Sequence, residues 1–468
     1  MNSILISDSF WGKSMKIKSI NPYTEEINRT YGSFPIEECR NRIEKSRAAF
    51  SGWSSLPAEE RAKFFLNVAE LLRRNTEIYA GIITEEMGKP IRQSRSEVQK
   101  CVRLCDYYAE NAAGLLKAEI VELGAEKSYV TFEPLGVVFG IMPWNFPFWQ
   151  VFRFAVPAIC AGNVCVLKHA SNVPGSALEI EKIFLEAGFR EYVFKTLLID
   201  SKTAMEIIKE ELVDGVSLTG STGAGSKIGK LAGEAIKPQV LELGGSDPFI
   251  VLEDADIERA AQAGVRSRFL NAGQSYTAAK RFIVVEEVVG DFIEAFELHM
   301  QELKIGDPID EETDIGPLAK KEFVEILEKI LEDARKKGAE PQTYGEKHKK
   351  GFFFNPTIIP AASTYMEVCN IEVFGPVAPV ITAKDEDEAV EVANSIEFGL
   401  GAKIWSGDLE RAEKLAKRIR AGSVAVNGMI RSDPRLPFGG TGKSGVGREL
   451  SHYGLKEFVN IKTVVVNK

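Results

Sequence analysis

The chain has 468 residues, 44% hydrophobic and 27% charged, which is ordinary globular composition in a length too great for one compact core. A formal charge of -9 with no basic helix face excludes nucleic acid and an anionic membrane surface as the main partner. No run of 18 apolar residues occurs, the start lacks a signal-peptide pattern, and six scattered cysteines fit reduced core thiols, so a cytoplasmic location is expected.

In chain order, the patterned sequence begins only at "MKIKSINPYTEE", which makes Met15 an alternative start. From Ile36 to about Leu116 apolar residues recur at helical spacing, as in "PAEERAKFFLNVAELLRRNTEIYAGIITEEMGK", predicting a block of amphipathic helices. Cys101 and Cys105, four apart on one of them, make half of a metal-binding pattern that no further Cys or His completes, so no metal is expected. Near Glu119 the period changes to two in "EIVELGAEKSYVTFEPLGVVFGIMP", the pattern of strands belonging to another sheet.

From Val137 to Glu242 short apolar strands ("GVVFGIMP", "NVCVLKHA", "GVSLTG", "QVLELGG") alternate with helices, as in a doubly wound parallel sheet. A second alternating section runs from about Pro248 to Asn427. The basic run from Ala334 to Lys350 also holds acids, Gly and Pro and reads as a solvated loop. The ending "EFVNIKTVVVNK" is an apolar strand with no local partner, which predicts pairing with the early hairpin or another subunit, and hence an oligomer.

Ligands on such sheets sit at the carboxyl ends of strands, so the turns there carry the candidates. In "IMPWNFPFWQVFRFAVPA" Asn145 follows a strand end and precedes a helix, a place from which an amide can donate to a developing oxyanion; read alone, an Asn there is more often a turn or cap residue. Lys168 lies just past the next strand end, where a ribose or phosphate would lie, though a lysine there is usually plain surface. The Gly-rich "LTGSTGAGSKIGKLAG" offers Gly220, Ser221 and Gly225 as nucleotide contacts but does not match the G-x-G-x-x-G spacing. Glu242 in "VLELGGSDP" could serve as a general base if apolar surroundings raise its pKa.

Together and in this order, "PWNFP", "LELGGSDPFIVLEDADIERA", "GQS" with "AAKRF", "EVFGPVAPV", "ANSIEFGLGAKIWSGD" and "LPFGGTGKSGVGRE" resemble the aldehyde dehydrogenase superfamily from about Asn21 to the C-terminus. The resemblance implies an α/β fold with a Rossmann-like coenzyme domain, an α/β catalytic domain and a small β oligomerisation element. On that reading residues 1–117 and 139–243 form the coenzyme-binding domain and 118–138 with 455–468 the oligomerisation strands. Residues 244–434 form the catalytic domain, 435–454 return to the coenzyme domain, and homodimers or homotetramers are expected.

The resemblance also implies roles: Asn145 as oxyanion donor and Glu242 as the base that activates the hydrolytic water, favouring release of an acid over transfer to coenzyme A. Lys168 would hold the coenzyme ribose, Trp144 and Ser221 would lie along the pyrophosphate, and Glu372 and Phe374 would position the nicotinamide ribose and ring. Ser171 occupies the place where NAD-preferring relatives carry a glutamate, leaving room for a 2'-phosphate and favouring NADP over NAD. Arg153, eight residues after Asn145, matches an arginine that binds the substrate carboxylate in relatives oxidising succinic semialdehyde, a role suited to a planar bidentate donor; a structural ion pair is its other reading. A second such arginine in relatives corresponds here to Leu270.

The family mechanism needs a thiolate after "GQS", and this chain has Tyr276 there. A phenol of pKa about 10 is ionised to about one part in a thousand at neutral pH, and Ser275, one step away, points elsewhere. Turnover is therefore expected to be lost or strongly impaired. Either the chain is a substituted copy of a working enzyme, or it is an NADP-binding or structural oligomer that has lost the chemistry. The leading substrate is succinic semialdehyde, and the alternative is a broad range of aliphatic or hydroxyaldehydes.

Overall fold

The computed structural model describes residues 16–468; Met15 as a start lies outside them. The predicted helical block consists of Ile36–Ser54, Ala58–Arg74, Thr76–Met87 and Ile91–Leu115. In Ala58–Arg74 the buried Ala62, Phe65, Ala69 and Leu72 recur at steps of three and four, which puts them on one face. Ile91–Leu115 buries Val98, Cys101, Cys105 and Tyr108 in the same way, so both cysteines are core thiols. Among the described residues no three His, Cys, Asp or Glu side chains gather into a metal site, and no helix is long and apolar enough to cross a membrane.

This block packs on a sheet whose strands run, edge to edge, Gly445–Val446, Gln239–Glu242, Gly215–Thr219, Val137–Met142, Val164–His169 and Phe194–Thr196. All are parallel except Gly445–Val446, which pairs antiparallel with Leu241 and Glu242. From Val137–Met142 the order winds outward in both directions, so the carboxyl end of that strand borders the switch point where ligands settle on open α/β sheets. Asn163 ties the sheet to the C-terminal segment. Its oxygen accepts from the N–H groups of Leu135 and Gly136 and its amide donates to Ala158 and Phe458 carbonyls, so every polar site on the side chain is used.

A second sheet has the order Gln342–Thr343, Thr357–Ile359, Val377–Ala383, Ala279–Val285, Asp247–Val251, Gly401–Trp405 and Ser423–Val426. Its inner strands are buried nearly throughout and mostly apolar, as parallel strands covered on both faces must be, with Asp247, Lys280, Arg281 and Lys403 as buried charged exceptions. Each large sheet carries its own apolar core. The C-terminal strand Val459–Val466 pairs antiparallel with Lys127–Pro134, which also pairs with Glu119–Ile120, forming a third, separate sheet.

Candidate active site

The loop carrying Tyr276 joins the helix Ile257–Phe269 to the strand Ala279–Val285, at the end of the second sheet that faces the first. Three successive residues, Asn271, Ala272 and Gly273, have φ of 55°, 52° and 73°. Left-handed backbone at the two non-glycine positions is costly and persists only where neighbours enforce it. The neighbours are specific. The Asn271 amide donates to the carbonyls of Asn145 (2.9 Å) and Gln274 (3.2 Å), and its N–H donates to Gln93 Oε1 (2.8 Å). Gln274 in turn accepts from Ala319 N–H at 2.9 Å. At Gly273 a Cβ would lie 2.4 Å from the Gly375 carbonyl oxygen, so the loop and "EVFGP" can touch only through a glycine.

Asn145 sits in the turn between Val137–Met142 and the helix Pro147–Cys160, buried, with its amide donating to the Gln274 carbonyl at 3.1 Å. That turn is anchored from below: Glu97 Oε1 accepts the N–H groups of Phe148 and Trp149 at 2.9 and 3.0 Å, and its other oxygen pairs with the buried Lys89. The helix is buried along its whole length, and Arg153 on it is 0% exposed. Asn145 and Arg153 do face the same loop, as their spacing suggested. Arg153 Nη1 donates to the Tyr276 hydroxyl, Nη2 donates to Thr219 Oγ1 at 3.1 Å, and Nε contacts Glu449.

Tyr276 is thus buried, its ring meeting Phe438 edge-on at 5.8 Å and its hydroxyl taken by Arg153. Burial raises the phenol pKa above its ordinary value; Arg153 opposes this, and Glu242 and Glu449 add to it. Burial disfavours the charge of Arg153, but Glu449 first, then Tyr276 and Glu242, hold its pKa above the ordinary value. Two carboxyls therefore share one guanidinium. Glu449 touches the guanidinium, whereas Glu242 makes neither an ion pair nor a hydrogen bond among the described residues. Burial, and then Glu449, push the Glu242 pKa well up, while Arg153 and Arg448 oppose the rise. Ser275 is buried beside Thr277, its hydroxyl 3.2 Å from Thr277 Oγ1.

The nucleotide candidates line the neighbouring strand ends. Lys168 lies inside the strand Val164–His169, one residue before its end and not past it as expected, because the strand runs on through His169; it is buried, with no ion pair among the described residues, and burial and then Lys320 lower its pKa, while Asp200 raises it. Ser171 is exposed just beyond. His169 is enclosed: burial lowers its pKa to about 4, its Nδ1 accepts from Ala170 N–H, and Nε2 donates to the Pro147 carbonyl at 2.9 Å. Gly220 is half-exposed, and Ser221 caps the helix Thr222–Glu234 by accepting from Ala224 N–H at 3.3 Å. Gly225 lies beneath, where a Cβ would meet Leu243 at 2.4 Å; close helix-to-sheet packing explains this glycine. Trp144 stacks on Phe323 at 5.0 Å and meets Phe374 edge-on at 5.7 Å. Glu372 accepts from Lys280 at 2.7 Å and from Gly245 N–H at 3.2 Å, in space that a side chain on Gly244 would fill.

Several residues that hold this arrangement were not singled out from the sequence. Lys280, fully buried, donates to the carbonyls of Gly245 (2.6 Å) and Tyr276 (3.0 Å) as well as to Glu372. Lys403 pairs with Asp247 at 2.7 Å and donates to the Thr277 carbonyl. Arg268 donates to Val373 and Gly375 carbonyls, fastening "EVFGP" to the loop. The only signal was a charged residue inside an apolar strand, as in "AAKRF", which implies a buried partner without naming it.

The aldehyde dehydrogenase family profile matches residues 11–464. A probable NADP(+) succinate-semialdehyde dehydrogenase of Synechocystis is 44% identical over 455 residues, covering 96% of this chain and 99% of that protein. An NAD(P)+ succinate semialdehyde dehydrogenase of Escherichia coli is also 44% identical, covering 95% and 97%. Among solved structures, succinic semialdehyde dehydrogenase from Streptococcus pyogenes in complex with NADP+ superimposes with a TM-score of 0.94 at 36% identity, over 97% of this chain and 100% of that one.

Proposed function

This chain belongs to the aldehyde dehydrogenase family, and from that premise we propose that it carries an NADP-preferring succinate-semialdehyde dehydrogenase site in which Tyr276 replaces the nucleophile and blocks turnover. The relatives named for that activity and coenzyme match nearly end to end. The chain's own residues suit the coenzyme. Lys168 and Lys320 act on each other as two cations with no carboxylate at ion-pair distance among the described residues, the exposed Ser171 adds no negative charge, and the N-terminus of Thr222–Glu234 is free of bulky side chains. When bound, NADP would accept the hydride from the aldehyde carbon.

The observation that carries the reading is the seating of Tyr276 among Arg153, Glu242 and Glu449 on a loop that the Asn145 amide also reaches. The second amide hydrogen of Asn145 is available to a carbonyl oxygen brought to this loop. Burial and Glu449 favour the protonated form of Glu242, and the carboxyl can activate water only once that proton has left. A neutral phenol held by Arg153 cannot attack, and its hydroxyl takes an Arg153 N–H that could otherwise be offered to a substrate carboxylate. With cysteine in its place, that N–H and the space of the ring become available.

A second reading, a coenzyme-binding protein without turnover, is favoured by how well Tyr276 fits, with its ring packed on Phe438 and its hydroxyl bonded. One experiment separates the two: NADPH formation from succinic semialdehyde by this chain and by Tyr276→Cys, with NADP affinity of both measured by calorimetry. The Cys variant is expected to exceed the parent by about 10³-fold or more. Silence of both, with NADP bound by both, would sink the dehydrogenase reading for this substrate and leave the second.

A further inference from the structure

The helix Ile91–Leu115 carries Lys100, whose ammonium meets two other segments. It lies 3.9 Å from the centre of the Trp149 ring and donates to the hydroxyl of Ser432, in the segment leading to "LPFGG". Trp149 is one turn beyond Asn145 and one turn before Arg153 on the buried helix, so Lys100 borders the same region as the candidate site. Among the described residues no carboxylate lies within ion-pair distance of it.

Charge balance sets Lys100 apart from Arg153. Arg153 is fully buried and its charge is answered by Glu449, so it can offer an N–H but no net charge. Lys100 keeps partial exposure, faces an aromatic ring and a hydroxyl, and has no counter-ion. Burial, and then Arg153, lower its pKa to about 7, the expected response of a cation that lacks an anion. A carboxylate brought beside such a cation would restore the ion's solvation and add a charge-assisted hydrogen bond.

We infer that Lys100, with the Ser432 hydroxyl, supplies the counter-charge for the carboxylate of the aldehyde substrate and thereby selects acid-bearing over uncharged aldehydes. This rests on the reading above for the identity of the substrate, but the anion site is testable without turnover. The full chain carrying Tyr276→Cys is compared with the same chain carrying also Lys100→Met or Lys100→Arg. Calorimetry measures succinate binding, and kinetics give the ratio of kcat/KM for succinic semialdehyde over butanal.

Lys100→Met is expected to weaken succinate binding and to lower the ratio by about ten-fold or more, the worth of one charge-assisted hydrogen bond. Lys100→Arg, which keeps the charge, is expected to retain most of both. Succinate affinity and ratio unchanged in Lys100→Met would overturn the inference, as would equal losses for butanal and the acid-bearing aldehyde. Absence of turnover with any aldehyde, together with succinate binding that depends on Lys100, would instead sink the dehydrogenase reading and leave the anion site. Turnover of succinic semialdehyde indifferent to Lys100 would do the reverse.

Discussion

Tyr276, Arg153, Glu449 and Glu242 form one electrostatic unit, in which a single guanidinium serves two carboxyls and a phenol. The consequence is read most directly at Glu242. Its pKa is raised in the folded chain, so between the ordinary carboxyl range near 4.5 and that raised value the folded state binds more protons than the unfolded one. Stability is then fullest at low pH and falls as pH rises through this window. Glutamine has the shape of the protonated acid and cannot ionise. Glu242→Gln is therefore expected to raise the thermal midpoint at pH 8 to 9 and to match the parent near pH 5, as differential scanning fluorimetry across pH would read. A gap that is constant with pH would mean that Glu242 is ionised in the fold. The identity of Tyr276 was plain in the sequence. Its partner was not, because the 123 residues separating it from Arg153 carry no pattern that announces the contact.

At the scale of elements, the strands and helices around the site were legible from period and turn signals, and "GVVFGIMP", "NVCVLKHA", "GVSLTG" and "QVLELGG" are strands of one sheet. The helix expected from about Trp149 starts at Pro147, where a proline at the first position is pre-set for helix and Glu97 supplies the acceptor for the next N–H groups. That acceptor comes from another helix, so no local rule could place it. Removing its counter-ion tests its weight. Lys89→Met leaves the Glu97 carboxylate buried and unpaired and is expected to cost about 3–5 kcal/mol, seen as a lower urea midpoint. Adding Glu97→Gln, whose amide oxygen can still accept from the turn, is expected to recover much of that loss. An unaltered midpoint in the single variant would show that the pair does not support the turn.

At the scale of the whole molecule, the C-terminal strand finds its partner across more than 300 residues: Val459 lies opposite Pro134 and Val466 opposite Lys127. The resulting sheet leaves Ile120, Ile461, Val465 and Val466 exposed, a surface suited to a second copy. Sedimentation of the full chain is expected to give two or four times the mass of one chain, and deletion of 459–468, which spares the Asn163 contact to Phe458, is expected to lower it. Equal masses before and after deletion would remove this sheet as the assembly element. By itself the sequence determined the fold class, the family motifs and the tyrosine that follows "GQS", because periodicity, turn chemistry and residue identity are local properties that survive in a linear string. Only the tertiary structure decided that burial raises the Glu242 pKa, that Arg153 pairs with Glu449 and that Lys100 has no carboxylate at ion-pair distance among the described residues. Burial and charge pairing are sums over neighbours from distant segments, and those neighbours meet only when the two sheets close on each other.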